Sequence, residues 1–399
     1  MHMSVKKYGI VILALLGGLS SCKLRNPEDM NHTIIPVSTE TSHSRLPMSA
    51  LYSDLRYIKL ETTPQSLIAQ VAKVIPLKER LVIVDKMTSQ ILLFEKDGRF
   101  ITCIGKKGNG PGEFVDIEDV AIDEKNNHVY VLDESGQCIS VFDLQNNYLG
   151  CKKTDFIVHE IEYINNNRLA CYGDYATNAN YEKRDRRPNL FLLNINNMEA
   201  IPLLYTPNSI SVQEVNSPFS AMSSYGDGKA SLFDILTNTV YIINSDGIEK
   251  SYNCHFGEQQ EAVKRDYITK LQNEQLGAEQ IMPGASDAPA YTVITSCIGC
   301  TDYLLLTAIN YSDSHVYQIA YSPETTECLY AKACKSYPLE NDIDGIIPFS
   351  PYASDGQNIY GVIESYQLTE DDENIHKLIG DIKEDDNPVI VIAKTNQLK

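Results

Sequence analysis

An acidic cluster at the start of a predicted strand could carry chemistry. Asp116, Glu118 and Asp119 stand almost side by side, and Asp123 ends the same short strand. Calcium takes about six to eight oxygen ligands, so a calcium site here would need further oxygens from other parts of the chain. The same carboxylates could accept hydrogen bonds from sugar hydroxyls. The alternative is a solvated turn in which Asp123 caps a hairpin.

A histidine and a carboxylate, His159 and Glu160, are adjacent at the equivalent place in the next repeat. Histidine changes its charge near neutral pH, and a His–carboxylate pair could transfer protons. The alternative is a structural pair at the start of a strand. The sequence contains neither G-x-S-x-G nor H-E-x-x-H. It therefore offers no motif typical of serine hydrolases or zinc proteases.

The cysteines do not form a convincing metal site. Cys297 and Cys300 have C-x-x-C spacing, but zinc would need a second pair, and Cys328 and Cys334 are spaced too far apart. Setting Cys22 aside leaves nine of the 10 cysteines, an odd number. Several lie in strand patterns, where cysteine behaves as a small buried hydrophobe. We expect mostly reduced thiols and no disulfide framework.

The elements that must position these residues are short strands that repeat. Asp85 and Asp133 are 48 positions apart, and so are Phe94 and Phe142. In four successive units the third strand ends at intervals of 48, 51 and 50 residues, at Phe94, Phe142, Leu193 and Ile243. A period of about 40–50 residues with four strands is typical of propeller blades.

The order of the strands predicts an all-β fold, a six-bladed β-propeller over residues 50–399, with five or seven blades as alternatives. Leu55–Glu61 is a lone strand before the first repeat, and the last repeat supplies only three strands. Pairing the two would close the ring and remove its exposed edges. Residues 257–289 interrupt the period, and helix-forming residues predict a helical insertion there.

The segment Gly105–Phe142 resembles the NHL-repeat pattern, in which a G-x-G-x-G-E-F turn precedes a V-A-V-D strand and a Y-V-x-D strand. The family often has proline where this chain has Glu118 or Asp119. The whole chain is similar to six-bladed β-propeller lipoproteins of Bacteroides-type bacteria. That resemblance implies a propeller at an outer membrane, and it implies no reaction, because propellers host binding and catalysis alike.

The N-terminus has the pattern of a targeting segment. Lys6 and Lys7 precede the apolar run Ile10–Leu19, which is too short to span a bilayer. Leu19-Ser20-Ser21-Cys22 resembles a bacterial lipobox, which implies a signal peptide over residues 1–21 and a lipid on Cys22. Residues 22–49 are polar and read as a flexible tether. No acidic run follows Cys22, which favours the periplasmic side of the outer membrane over the cell surface.

The strongly negative net charge of the chain argues against one class of partner, nucleic acids. The formal net charge of −19 repels phosphate backbones, so no nucleic-acid partner is expected. With 43% hydrophobic residues the chain can build a core.

The sequence therefore predicts a lipid-anchored envelope propeller that binds a ligand or a protein at one face of its ring, rather than an enzyme. Two alternatives stay open: a Ca²⁺-dependent hydrolase or lyase of the lactonase type, and a structural part of an outer-membrane assembly. The expected partners are the membrane and a protein or carbohydrate ligand, since tyrosines in loops 174–181 and 350–352 could stack on sugar rings. No cofactor is expected apart from the Ca²⁺ of the first alternative. The candidate channel residues are Asp116, Glu118, Asp119, His159 and Glu160.

Overall fold

The structure is a computed structural model of the 399-residue chain. It describes residues 32–38, 44–110, 112–133, 138–183, 186–207, 220–273, 291–334, 337–368 and 373–398. The predicted signal peptide and Cys22 lie outside these residues. Within them, no helix is long and apolar enough to cross a membrane.

Three strands come before the first complete sheet: β1 (Thr33–Pro36), β2 (Leu46–Pro47) and β3 (Tyr52–Lys59). Three four-stranded antiparallel sheets follow, each formed by consecutive strands. The first two are β4 (Lys73–Pro76), β5 (Arg80–Asp85), β6 (Gln90–Glu95), β7 (Phe100–Cys103), and β8 (Ile117–Asp123), β9 (His128–Asp133), β10 (Cys138–Asp143), β11 (Tyr148–Lys153). The third is β12 (Glu160–Ile164), β13 (Arg168–Tyr172), β14 (Arg186–Asn194), β15 (Ala200–Pro207).

The second half of the chain forms three more sheets. The fourth is β16 (Met222–Gly226), β17 (Lys229–Asp234), β18 (Thr239–Asn244), β19 (Gly247–His255). The fifth is β20 (Val293–Gly299), β21 (Leu304–Asn310), β22 (His315–Tyr321), β23 (Cys328–Cys334), which the short strand β24 (Leu339–Glu340) follows. The sixth contains β25 (Ser350–Ser354), β26 (Asn358–Ile363) and β27 (Val389–Thr395).

The predicted six-bladed propeller is confirmed, and five or seven blades are excluded. The second and third strands of each blade are almost wholly buried, as in β5 and β6, because every sheet is covered by a neighbouring blade on both faces. These strands therefore read as continuous apolar runs rather than as an alternating pattern. Asp85, at the end of the second strand of blade one, caps a turn, because it accepts hydrogen bonds from Thr88 and from the Ala69 amide.

The ring is closed by the N-terminal strand, as predicted. β3 pairs antiparallel with β27 and becomes the outer strand of the sixth blade. The register places Ile58 opposite Ile390 and Leu55 opposite Ala393. Residues more than 330 positions apart in sequence therefore lie side by side, and β27 is no longer the edge strand of its sheet.

The predicted tether needs a correction, because part of it belongs to the fold. β1 pairs in parallel with β19 and adds a fifth strand to blade four, and β2 pairs with β24. Ile35 is fully buried in this arrangement, and Met48 lies in a 3-10 turn with its side chain buried. Strands of two to four residues are too short to show an alternating pattern, so the boundary at residue 49 was not visible in the sequence.

The helical insertion is confirmed where the structure describes it. Helix α1 (Glu258–Gln272) connects the fourth and fifth blades, and Tyr267 packs edge-on against Tyr291. The rest of the predicted insertion, residues 274–289, lies outside the described residues. A second helix, α2 (Glu373–Leu378), lies between β26 and β27. One disulfide, Cys138–Cys151, joins β10 and β11, while seven other described cysteines are free.

The connections make the two ends of the ring different. One end carries the links between first and second strands and between third and fourth strands, and these links have two to six residues. The other end carries the links between second and third strands and between blades, which include every connection longer than six residues. We call them the short-connection end and the long-connection end. Helices α1 and α2 both belong to the long-connection end.

The seam between the last and first blades allows a test of ring closure. Gly98 has a φ of +91°, and a Cβ there would collide with the carbonyl oxygen of Lys59 at the end of β3. Gly98→Ala should lower the free energy of unfolding by about 1–3 kcal/mol more than the same substitution at a control glycine. The control must also have a positive φ, so that the backbone strain is the same, but it must have open space around the added Cβ. Gly345→Ala is that control, because Gly345 has a φ of +81° and no neighbour within 4 Å of the added Cβ. Denaturant unfolding of both variants measures the difference, and equal losses would contradict the close packing of this seam.

Candidate functional site

The predicted channel residues lie where the inner strands of blades two and three begin. The first strands of neighbouring blades, such as β8 and β12, contact each other around the centre of the ring. Glu118 and Asp119 belong to β8, and Glu160 is the first residue of β12. Asp116 and His159 directly precede these strands. All five lie at the long-connection end, but the structure divides them among four separate contacts.

Asp119 is part of a buried ion cluster that joins three blades. The ammonium group of Lys73 in β4 lies 3.1 Å from the Asp119 carboxylate and 3.3 Å from Glu162 in β12. It also donates to the carbonyl oxygens of Val120 and Ile161, at 2.9 and 3.2 Å. All three charged side chains are nearly inaccessible to solvent.

The charges of this cluster depend on one another. Burial alone would lower the pKa of Lys73, but the carboxylates of Asp119 and Glu162 outweigh it and raise that pKa. Burial raises the pKa of Glu162, while Lys73 acts in the opposite direction. Asp119 also accepts a bond from the Ile161 amide at 2.8 Å. The cluster is therefore a structural link between inner strands, with the lysine as its cation.

This lysine bears on the calcium hypothesis. A divalent ion bound by Asp119 and Glu162 would have to displace the ammonium group of Lys73, which already lies between them. Among the described residues, no group of three or more His, Cys, Asp or Glu side chains has a metal-binding arrangement. The residues predicted to hold Ca²⁺ therefore have other partners.

Glu118 and His159 form a pair across blades two and three. The Nδ1 atom of His159 lies 2.9 Å from a carboxylate oxygen of Glu118, and about a quarter of each side chain is exposed. His159 thus pairs with Glu118 rather than with its chain neighbour Glu160. This is the described channel pair that solvent can reach, and it could exchange a proton or accept a polar ligand group.

Glu160 faces the fourth blade and is half-buried. Its carboxylate accepts hydrogen bonds from the Ser220 hydroxyl and from the amides of Ala221 and Met222, at 2.7 to 2.9 Å. Burial, and then the field of Asp119, raise the pKa of Glu160. Three donors from the start of β16 give this carboxylate a fixed structural role.

Asp116 belongs to the surface of the long-connection end. It accepts a hydrogen bond from the Ser89 hydroxyl and lies 3.4 Å from the ammonium group of Lys107. The bond from Ser89 lowers the pKa of Asp116. These contacts tie the turn between β5 and β6 to the linker that leads into β8.

Sequence reasoning missed a set of exposed apolar residues around this end. The large apolar side chains that are exposed outside the strands all lie in its connections, and they are Leu67, Met87, Val115, Ile347, Tyr366 and Leu378. We call them the apolar rim. The other exposed ones lie on strands of the outer surface, and they are Ile34, Ile101, Tyr148 and Leu149. Among the described residues, none lies in a connection of the short-connection end.

The tyrosines proposed as sugar platforms are mostly engaged in the fold. Tyr175 is buried and donates to Asp234 at 3.0 Å. Tyr181 packs edge-on against Phe191 and donates to Asp155 at 2.8 Å. Tyr352 is half-buried. Aromatic residues in a loop look exposed in a sequence, but here they anchor the loop to the blade beneath it.

The buried cluster predicts a large effect on stability. Lys73→Met should destabilise the protein by about 3–5 kcal/mol, because it leaves Asp119 and Glu162 buried without a cation. Lys59→Met is the control, because Lys59 pairs with Asp386 at 2.7 Å nearer the surface and should cost about 1 kcal/mol or less.

The loss caused by Lys73→Met should also depend on pH. Burial already raises the pKa of Glu162, and without the lysine this pKa rises further above the unfolded value. Folding is then favoured at low pH and disfavoured as the pH rises through the folded-state pKa, so the loss should be smaller near about pH 5 than near about pH 8. Unfolding curves at both pH values measure this, and a loss that is independent of pH would contradict the cluster.

Comparisons with known proteins agree with the fold. A protein of Bacteroides fragilis described as exported has a similar structure, with a TM-score of 0.64 and 17% identity, covering 92% of this chain and 100% of its own. A member of the DUF4221 family from Bacteroides vulgatus has a TM-score of 0.50 and 10% identity, covering 87% and 97%. None of the curated proteins matches the chain. The model of the family described as a domain of unknown function, DUF4934, matches residues 32–394, so the chain belongs to the DUF4934 family.

Proposed function

We propose that this protein is a lipid-anchored propeller of the bacterial cell envelope that binds a protein partner with its long-connection end. The observation that carries the proposal is the apolar rim. Exposed apolar side chains grouped on one surface are a feature of protein-binding sites. The exported relative in Bacteroides fragilis supports a location in the envelope.

Hydrogen bonds between the connections support a continuous surface at the rim. The amide of Ala69, two residues after Leu67, donates to Asp85, which begins the turn that carries Met87. The hydroxyl of Ser89 at the end of that turn donates to Asp116, the neighbour of Val115. Leu67, Met87 and Val115 therefore come from three segments that are bonded to one another.

The same network extends the rim to blade six. The side-chain amide of Asn387 accepts a hydrogen bond from the backbone amide of Ile68 and donates one to the carbonyl oxygen of Ser66. The backbone carbonyl oxygen of Asn387 accepts a hydrogen bond from the Ser365 hydroxyl. Ser365 precedes the exposed Tyr366. A partner that covers the rim would bury apolar surface at about 25 cal/mol per Å². Because the chain is strongly acidic, a partner with a neutral or basic surface is favoured.

The strand β1 would orient the ring relative to a lipid on Cys22. Ten residues separate Cys22 from Thr33, where the chain joins the edge of blade four. A fully extended chain of that length reaches at most about 40 Å. In the proposed arrangement the edge of blade four stays near the outer membrane, on its periplasmic side, and the rest of the ring extends away from it.

A photo-crosslinking experiment in the envelope tests this proposal. A benzophenone amino acid at Met87, on the rim, should crosslink to one defined protein, whereas the same group at Lys125, in a short turn of the other end, should not. The crosslinked protein is identified by mass spectrometry and then purified, and its binding is measured directly. Crosslinks of equal yield from both positions would contradict the choice of end.

Matched substitutions decide whether the rim provides the binding energy. Leu67→Asp should weaken binding of the purified partner by about tenfold or more, because it places a charge at a desolvated contact. Leu149→Asp is the control, because both leucines are 52% exposed but Leu149 lies on the outer strand β11. Equal affinities of the two variants would contradict the proposal. A crosslink to a second copy of this chain would replace the proposed partner by self-association.

A further inference from the structure

A pocket of about 290 Å³ lies at the seam between the last and first blades. Blade six contributes Arg56 and Ile58 from the closing strand β3. It also contributes Asp355 from the turn before β26, Asn358 and Tyr360 from β26, and Ile392 from β27. Blade one contributes Lys78 and Lys96 from two turns of the short-connection end. The pocket therefore shares no lining residue with the apolar rim, and it exists only when the ring is closed.

The cations of this pocket have no ion-pair partners. Arg56, Lys78 and Lys96 all line it, and within the described part of the chain none of them is within salt-bridge distance of a carboxylate. In a protein with a net charge of −19, three such cations around one cavity are unusual. An arginine fork and two ammonium groups suit a carboxylate or phosphate.

The one carboxylate that lines the pocket is already satisfied. Asp355 accepts bonds from the Tyr360 hydroxyl at 2.8 Å and from the backbone and side-chain amides of Asn358. These hydrogen bonds hold Asp355 in its own turn, while its charge attracts Lys96 and acts to raise the pKa of that lysine, against the larger effect of burial. Glu79 and Glu124 act on Lys96 from further away, but neither lines the pocket, and Glu124 accepts bonds from the Lys78 amide.

Lys96 is the cation with most to gain from a bound anion. Its ammonium group contacts the Tyr360 hydroxyl at 2.7 Å and lies 4.8 Å from the centre of that ring. Burial lowers the pKa of Lys96, and the nearby Arg56 adds to this effect. A negative group beside Lys96 would stabilise its charged form and compensate for the water that it has lost.

The remaining wall of the pocket defines the body of the ligand. Ile58 and Ile392 offer apolar surface, and the Asn358 side chain offers polar atoms beside it. The volume is near the lower end of the range for small-molecule sites, which suits a single sugar-sized ring. Apolar surface next to polar groups fits a sugar, which has both an apolar ring face and hydroxyl groups.

We infer that this seam pocket binds a monosaccharide-sized organic anion, a sugar that carries a carboxylate or a phosphate group. Arg56 and Lys78 bind the anionic group, Lys96 neutralises its remaining charge, and Ile58 and Ile392 support the ring. This site goes beyond the proposed protein-binding function, since it uses the opposite end of the propeller. Because its walls come from both sides of the seam, a bound ligand also stabilises ring closure.

Isothermal titration of the purified protein at low ionic strength tests the inference with defined probes. D-glucuronate and D-glucose 6-phosphate distinguish a carboxylate from a phosphate, and D-glucose shows whether the charge is required. At least one of the two anions should bind and should raise the melting temperature, whereas glucose should bind at least about tenfold more weakly. Binding should weaken when the salt concentration rises.

Variants locate the binding to the pocket. Arg56→Gln and Lys78→Gln both change exposed side chains, so the fold should be retained, and each should weaken anion binding by about tenfold or more. Lys125→Gln, in an equally exposed turn of the same end of blade two, should leave the affinity unchanged. Three results would each overturn the inference: equal binding of glucose, equal affinities in all variants, or no binding of either anion up to about 10 mM.

Discussion

The pairing of β3 with β27 is the constraint on which the rest of the structure depends. A ring of sheets has an open seam until its last blade receives a fourth strand, and here that strand comes from the beginning of the fold. The pairing also removes the exposed edge of β27, which would otherwise be available to pair with another chain. Both proposed binding surfaces depend on it. The apolar rim crosses the seam through Leu67, and Arg56 of β3 forms a wall of the cationic pocket.

The ring is held in different ways at different places. At the seam, backbone hydrogen bonds and apolar packing join elements that are distant in sequence. Among the first three blades, a buried lysine pairs with two carboxylates from two other blades. A buried ion cluster of this kind contributes specificity as well as energy, because each charge needs its partners in place. Replacing Lys73 leaves two buried carboxylates without a cation, so this lysine links the inner strands of three blades.

The architecture could be predicted because each strand is a short apolar run and the runs recur at a nearly constant spacing. Ring closure could be predicted because a lone strand precedes the first repeat and the last repeat lacks its fourth strand. The sequence predicted the position of the carboxylates but not their partners, since nothing near Asp119 in the sequence indicates Lys73. One signal was available: Lys73 precedes Val74 as Asp119 precedes Val120, so the same repeat position on neighbouring inner strands carries opposite charges. The short strand β1 could not be predicted, because pairing with the edge of blade four defines it rather than any pattern of its own. The seam pocket combines residues from both ends of the chain, and only the closed ring shows which of them meet.

The two ends of the ring present opposite chemistry, and this follows from how a propeller is built. Short turns leave little room for insertions, so the short-connection end stays close to the sheets and exposes the charged residues of its turns, such as Lys78 and Lys96. The long-connection end accommodates helices and extended linkers, whose apolar residues remain partly uncovered. A protein-sized partner needs a broad apolar surface, whereas a small anion needs a confined cluster of cations. The same ring can therefore carry both proposed sites without either one blocking the other, and the strand that closes the ring connects them.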